Sequence, residues 1–210
     1  VFHQGPLYPY LLGAFRAMFR ALSPGAVAGA QLLLNWLTCL LFVPLLARLG
    51  RRDLGLLSAS LALFFSPAVF MSLKTLNVTL GLFLLVAGLM LGVPSGRGRL
   101  RLLAAGCLLG LSCLVSPGLF PAIVLFLACV ALMPPAGGPS LRVVAPIVAG
   151  LVLAIAPVTL QNYLQDGSFV VVSSNYGLTF SHGNNPRAVG SYTLLPGVSA
   201  DIQFQEQDAA

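Results

Sequence analysis

One lysine stands alone in a stretch with no acidic residue: Lys74, between Asp53 and Asp166. It sits at the end of an apolar run, after Ser66-Pro67 and before Thr75. An ammonium there can pair with a lipid phosphate or a phosphorylated donor, or snorkel to the head groups with no further role. Gln31 and Asn35 are four residues apart and share a helix face. They suit hydrogen bonding between packed helices, or the lining of a cavity. His3, Gln4 and Tyr8 crowd the first residues, and His182, Asn184, Asn185 and Arg187 crowd a later loop. Asn77-Val78-Thr79 fits the glycosylation acceptor pattern, but at a membrane boundary where a modifying enzyme could hardly reach it.

No HExxH, paired CxxC, phosphate-binding P-loop or GxSxG motif is present. The four cysteines (Cys39, Cys107, Cys113, Cys129) lie inside apolar runs without metal-ligand spacing, and read as small core residues. No metal ligand set and no cofactor is named by these residues. The apolar runs also lack an embedded carboxylate, which argues against a proton-coupled carrier.

The elements that position these groups are greasy. Of 210 residues, 58% are hydrophobic and 8% charged, with a mean hydropathy of +0.94. A soluble domain carries roughly 25% charged residues, and so few charges could not cover its surface. With lipid as solvent, apolar side chains can face outward. A spanning helix needs roughly 20 mostly apolar residues. Six stretches qualify, at about 27–47, 54–73, 76–93, 100–116, 117–134 and 141–160. A further run over about 6–22 contains Pro6, Pro9, Arg16 and Arg20, the arginines one turn apart on one face. It suits a helix lying at the interface. The fold class expected is an all-α membrane protein. It is a bundle of about six transmembrane helices with an N-terminal juxtamembrane helix and a polar extracytoplasmic C-terminal segment.

The arginines orient this bundle. Arg48, Arg51 and Arg52 follow the first span; Arg97, Arg99 and Arg101 precede the fourth; Arg142 precedes the sixth. Two crossings separate each group from the next, so all fall on one side, and positive residues favour the cytoplasm. Lys74, the Ser116-Pro117 corner and everything after Leu160 then face outward. Arg16 and Arg20 also fall outward, against the rule, where lipid phosphates accommodate an interfacial helix. The net charge of +6 is thus a topology signal, and no nucleic-acid partner is implied.

Residues 161–210 are polar and hold four of the five acidic residues. Phe169 to Val172 is β-prone, and Gly183-Asn184-Asn185-Pro186 is a turn cluster. The division expected is a membrane domain over 1–160 and an outer loop or start of an outer domain over 161–210. The opening Val1 and the polar end read as the cut ends of a longer protein.

Three segments resemble a known family. Gln4-Gly5-Pro6-Leu7-Tyr8-Pro9-Tyr10 is similar to the juxtamembrane motif of GT-C-type glycosyltransferases, among them the bacterial relatives of dolichyl-phosphate-mannose–protein mannosyltransferases and of the lipid A aminoarabinose transferase. Ser66-Pro67 through Leu73-Lys74-Thr75 resembles the following outer loop. Gln161-Asn162-Tyr163 through Ser173-Ser174-Asn175-Tyr176-Gly177, then Gly183-Asn184-Asn185-Pro186, resembles the stretch at the end of a later span. The resemblance implies an enzyme, inactive as this stretch alone, that moves a sugar from a polyprenyl-phosphate donor to an acceptor protein, lipid or glycan. The reaction would run at the outer face of the bacterial inner membrane. It places His3, Gln4 and Tyr8 at the border of the active site, Lys74 near the donor phosphate, and Asn184 and Asn185 in the outer loop. The family's catalytic Asp lies in a loop upstream of these residues. Gly5 stands where some relatives carry a lysine, Lys74-Thr75 where many carry Thr-Glu or Thr-Asp, and Val115-Ser116-Pro117 where many carry a cationic corner. Lys74 would therefore do more of the phosphate binding. A transporter or permease, and a non-catalytic membrane scaffold, remain alternatives.

Overall fold

The computed structural model describes residues 5–19, 23–93, 98–132, 141–167 and 169–173, with Phe180, Asn184 and Pro186 besides. Eight α-helices make up most of this: α1 (Leu7–Phe19), α2 (Pro24–Arg48), α3 (Arg52–Leu63), α4 (Ser66–Ser72), α5 (Val78–Gly92), α6 (Arg99–Val115), α7 (Phe120–Leu132) and α8 (Leu141–Asp166). A short 3-10 turn, Pro117–Leu119, leads into α7. No strand forms among the described residues. The β-prone run at Phe169 to Val172 is a non-helical segment laid against the end of α8.

Local chemistry sets the boundaries. Ser23 caps α2 by accepting the Ala26 N–H at 3.1 Å, and Pro24 follows in the first turn, where its missing N–H costs nothing. The chain reverses after α2 through Gly50, whose φ of 75° is open to a residue without a side chain. The expected span 54–73 is two helices bent by 58°. Pro67 has no N–H to offer the Leu63 carbonyl, so the α3 ladder ends there and α4 starts in a new direction.

Two helices are long and apolar enough to cross a membrane: Pro24–Arg48 and Leu141–Gln165, each of 25 residues. At 1.5 Å per residue each extends about 37 Å, beyond the roughly 30 Å of a hydrocarbon core. The bent α3–α4 pair makes a third if it is one span. The remaining apolar helices are shorter; α5 has 15 residues and α7 has 13. Large apolar side chains stay exposed on both long helices, including Leu33, Trp36 and Leu40 on α2 and Val152, Leu153 and Leu160 on α8. Such surfaces, with such lengths, suggest a membrane protein. Cys39 and Cys113 are buried as small core residues, whereas Cys129 faces outward from α7.

Helix α6 is the centre. Its Leu109 and Cys113 are buried with Ile123 of α7 and Ile147 and Ile155 of α8. Helix α8 runs parallel to α6 in backbone contact: Gly106 meets Ile147, and Gly110 meets Leu151 and Ala154. Gly150 reciprocates against Leu103 and Cys107. A Cβ built on Gly110 would lie 2.6 Å from the Ala154 Cβ and 2.9 Å from the Leu151 carbonyl oxygen, so only glycine allows this approach. Helix α5 runs antiparallel to α6, with Gly88 under Leu109. Helices α2 and α3 form a hairpin closed at Gly55, where a Cβ would meet the Val43 oxygen at 3.0 Å.

Gly106→Leu should unfold the bundle at lower temperature in detergent micelles, by about 2–3 kcal/mol or more, because the added atoms meet backbone. Gly29→Ala, in open space, should leave the midpoint unchanged or slightly raised.

Candidate functional site

The helices sort the polar residues to two ends. At one, Arg48 of α2 donates through Nη1 to the Met90 carbonyl. Arg101 of α6 donates through Nε to Leu91 O at 2.9 Å and through Nη2 to Val93 O at 2.6 Å. Both guanidinium groups satisfy carbonyls at the end of α5, which its own ladder leaves open. The expected gathering of Arg48, Arg51, Arg52, Arg99 and Arg101 at one end is therefore observed. Arg97 lies outside the described residues.

The opposite end holds the candidate site. Gln31 Nε2 donates to the Tyr8 hydroxyl at 2.6 Å and to the Leu76 carbonyl at 2.6 Å. A carbonyl only accepts, so the amide nitrogen must face Leu76, which fixes the orientation of the group. One buried amide thus ties together α1, α2 and the loop before α5. Asn77 Nδ2, next along that loop, donates to Val115 O at 2.6 Å and ties the loop to the end of α6. Ser72 and Thr79 close the same loop with a buried hydroxyl pair at 3.2 Å. Gly5 lies against the Leu114 and Val115 carbonyls, where a Cβ would come within 2.6 and 2.7 Å.

Two apolar clefts open around this end. One, of about 470 Å³, runs between α1 and α2, with Leu11, Leu12, Phe15, Val27 and Leu34 on its walls and Tyr8 and Gln31 as its polar members. The other, of about 480 Å³, lies between the Pro117–Pro121 corner, Cys113, Ile155 and the segment 169–173. That segment is clasped by α8. Thr159 Oγ1 donates to Val171 O at 2.7 Å, and Asn162 Nδ2 donates to Val170 O at 3.0 Å and Val172 O at 3.2 Å.

The residues singled out from the sequence fall as follows. Tyr8 and Gln31 are joined. Lys74 is exposed in the loop anchored by Leu76 and Asn77, with its ammonium 5.0 Å from the centre of the Phe70 ring, a cation–π contact. It does not line either cleft. Asn184 makes a local turn, donating to Phe180 O at 3.0 Å, and is not brought to Tyr8 or Lys74 by any described contact. His3, Gln4, Asn185, His182 and Arg187 lie outside the described residues. Asn35 is buried, but its Nδ2 and Gln31 Oε1 have no hydrogen-bond partner among the described residues. They are a donor and an acceptor one turn apart. The residue types alone did not single out Thr159 as a clasp, and Asn77 drew notice only for a glycosylation pattern placed where a modifying enzyme could hardly reach it. Asn162 appeared only inside a resemblance motif. The signal for all three was a polar residue at the edge of an apolar run.

Burial raises the Tyr8 phenol above its ordinary value of 10.0. The folded state then holds its proton where the unfolded chain gives it up. The resulting stability is present below pH 10 and is lost as pH rises past it. Tyr8→Phe should flatten this alkaline loss in a pH series of thermal unfolding. At neutral pH it should cost about 1 kcal/mol, and Gln31→Ala should cost more, about 1–3 kcal/mol, by stranding two partners.

No family model, curated protein or solved structure matches this chain.

Proposed function

We propose that this chain is a six-span bundle of the bacterial inner membrane. In this reading it moves a sugar from a polyprenyl-phosphate donor to an acceptor protein, lipid or glycan at the outer face. The bent α3–α4 pair, α5, α6 and α7 supply the four crossings between α2 and α8. The observation that carries the reading is the end opposite the arginines. There a loop bearing the exposed cation Lys74 is fastened through Gln31 to Tyr8, beside an apolar cleft. A polyprenyl phosphate needs that combination, an apolar groove for its tail and a cation at the interface for its head. Lys74 stabilises the departing phosphate; Tyr8 and Gln31 hold the loop that carries it. The base that takes the acceptor proton is not among the described side chains here. Asp53, the described carboxylate, sits at the arginine end beside Arg51.

The 58° bend between α3 and α4 favours a second reading, a transporter, because broken helices mark substrate paths in many carriers. The two readings separate in vesicles. The complete reading frame containing this chain should transfer labelled sugar from a polyprenyl-phosphate donor. Lys74→Ala should lower turnover on the order of tenfold or more at an unchanged unfolding midpoint, with partial recovery in Lys74→Arg. Turnover unaffected by Lys74→Ala removes the assigned role, and solute flux without transfer favours the carrier.

A further inference from the structure

We infer that the arginine end of the bundle seats the head groups of anionic phospholipids. The inference rests on the chain lying in a membrane, though not on sugar transfer.

Six of the eight described lysine and arginine side chains gather at this end: Arg48, Arg51, Arg52, Arg99, Arg101 and Arg142. Arg142 belongs with the others through the register of the parallel pair. The close contacts of this pair, Gly106 on Ile147, Gly110 on Leu151 and Ala154, and Leu103 on Gly150, join residues 41 to 47 apart. That register sets Arg142 level with the start of α6, beside Arg99 and Arg101. Against these charges stands one described carboxylate, Asp53. It lies 3.8 Å from Arg51 with both side chains well exposed (58% and 71%), a weak offset. Arg48 and Arg101 are engaged with carbonyls of α5. Arg52, Arg99 and Arg142 are exposed and without a partner among the described residues. The first turns of α6 and α8 carry no acidic residue.

What identifies the partner is the company these arginines keep. Leu49, Leu100 and Leu141 are 56%, 78% and 71% exposed, and each stands next to, or one residue from, an exposed or half-buried arginine. This pairing recurs at three helix ends. A soluble polyanion would satisfy the guanidinium groups and leave the leucines in water. A phospholipid meets both, its acyl chain on the leucine and its phosphate on the arginine.

The test reconstitutes the full chain into bilayers of phosphatidylcholine alone and of phosphatidylcholine with phosphatidylglycerol. Lipids retained on extraction are counted by native mass spectrometry, and the unfolding midpoint is recorded. Phosphatidylglycerol should be retained above its bulk fraction and should raise the midpoint, with both effects weakening in high salt. Replacing Arg52, Arg99 and Arg142 with Gln should erase the preference. The single variant Arg99→Glu, which disturbs less, should weaken retention roughly fivefold or more. Arg16→Gln should change nothing. Retention in bulk proportion by the unaltered chain would overturn the inference. So would an equal rise in midpoint with glycerol phosphate in solution, which would point to the free anion. A chain that inserts in neither bilayer would overturn the membrane reading itself, and this inference with it.

Discussion

A backbone carbonyl without a helix partner has no water to turn to inside hydrocarbon, and the arrangement of this chain follows from that constraint. Polar side chains are few, and the well-placed ones point at such carbonyls. Arg48 and Arg101 serve Met90, Leu91 and Val93, where α5 ends. Gln31 serves Leu76, where the chain turns into α5. Asn77 serves Val115, the last residue of α6. Thr159 and Asn162 serve the three carbonyls of Val170, Val171 and Val172. Each bond crosses between elements, so satisfying the backbone and fixing the tertiary fold are one event.

The donors at the C-terminus of α5 are arginines, long enough to reach it from neighbouring helices. Its 15 residues extend about 22 Å, and its last carbonyls find their partners on α2 and α6. At the other end the chain is fastened by neutral amides, and Lys74 stays at the surface over Phe70.

Much of this was legible in the residues. The alternation of Arg48–Arg52, Arg99–Arg101 and Arg142 identified one end of the bundle, and Gln31 was marked as a residue for bonding between helices. The break inside the expected span 54–73 was less visible. Ser66-Pro67 resembles part of a family motif, while its local effect is to end α3 at Leu63. Phe169 to Val172 misled because β-propensity describes fit to a sheet, and no neighbouring strand exists among the described residues to complete one. The orphan amide of Asn35 and the backbone contacts of Gly106, Gly110 and Gly150 depend on which faces meet, and spacing within one helix does not fix that. The Lys74 side chain lies outside both clefts, although its loop is fastened to the residue pair that borders one of them.

The glycine seam between α6 and α8 has a consequence for how the chain is made. Its partners lie 41 to 47 residues apart, with α7 emerging between them. During synthesis α6 leaves the ribosome after α5 and can settle on Gly88 while Gly106 and Gly110 are still uncovered. Their backbone contacts form only once Ile147, Leu151 and Ala154 have arrived, so the α5–α6 seam precedes the α6–α8 seam.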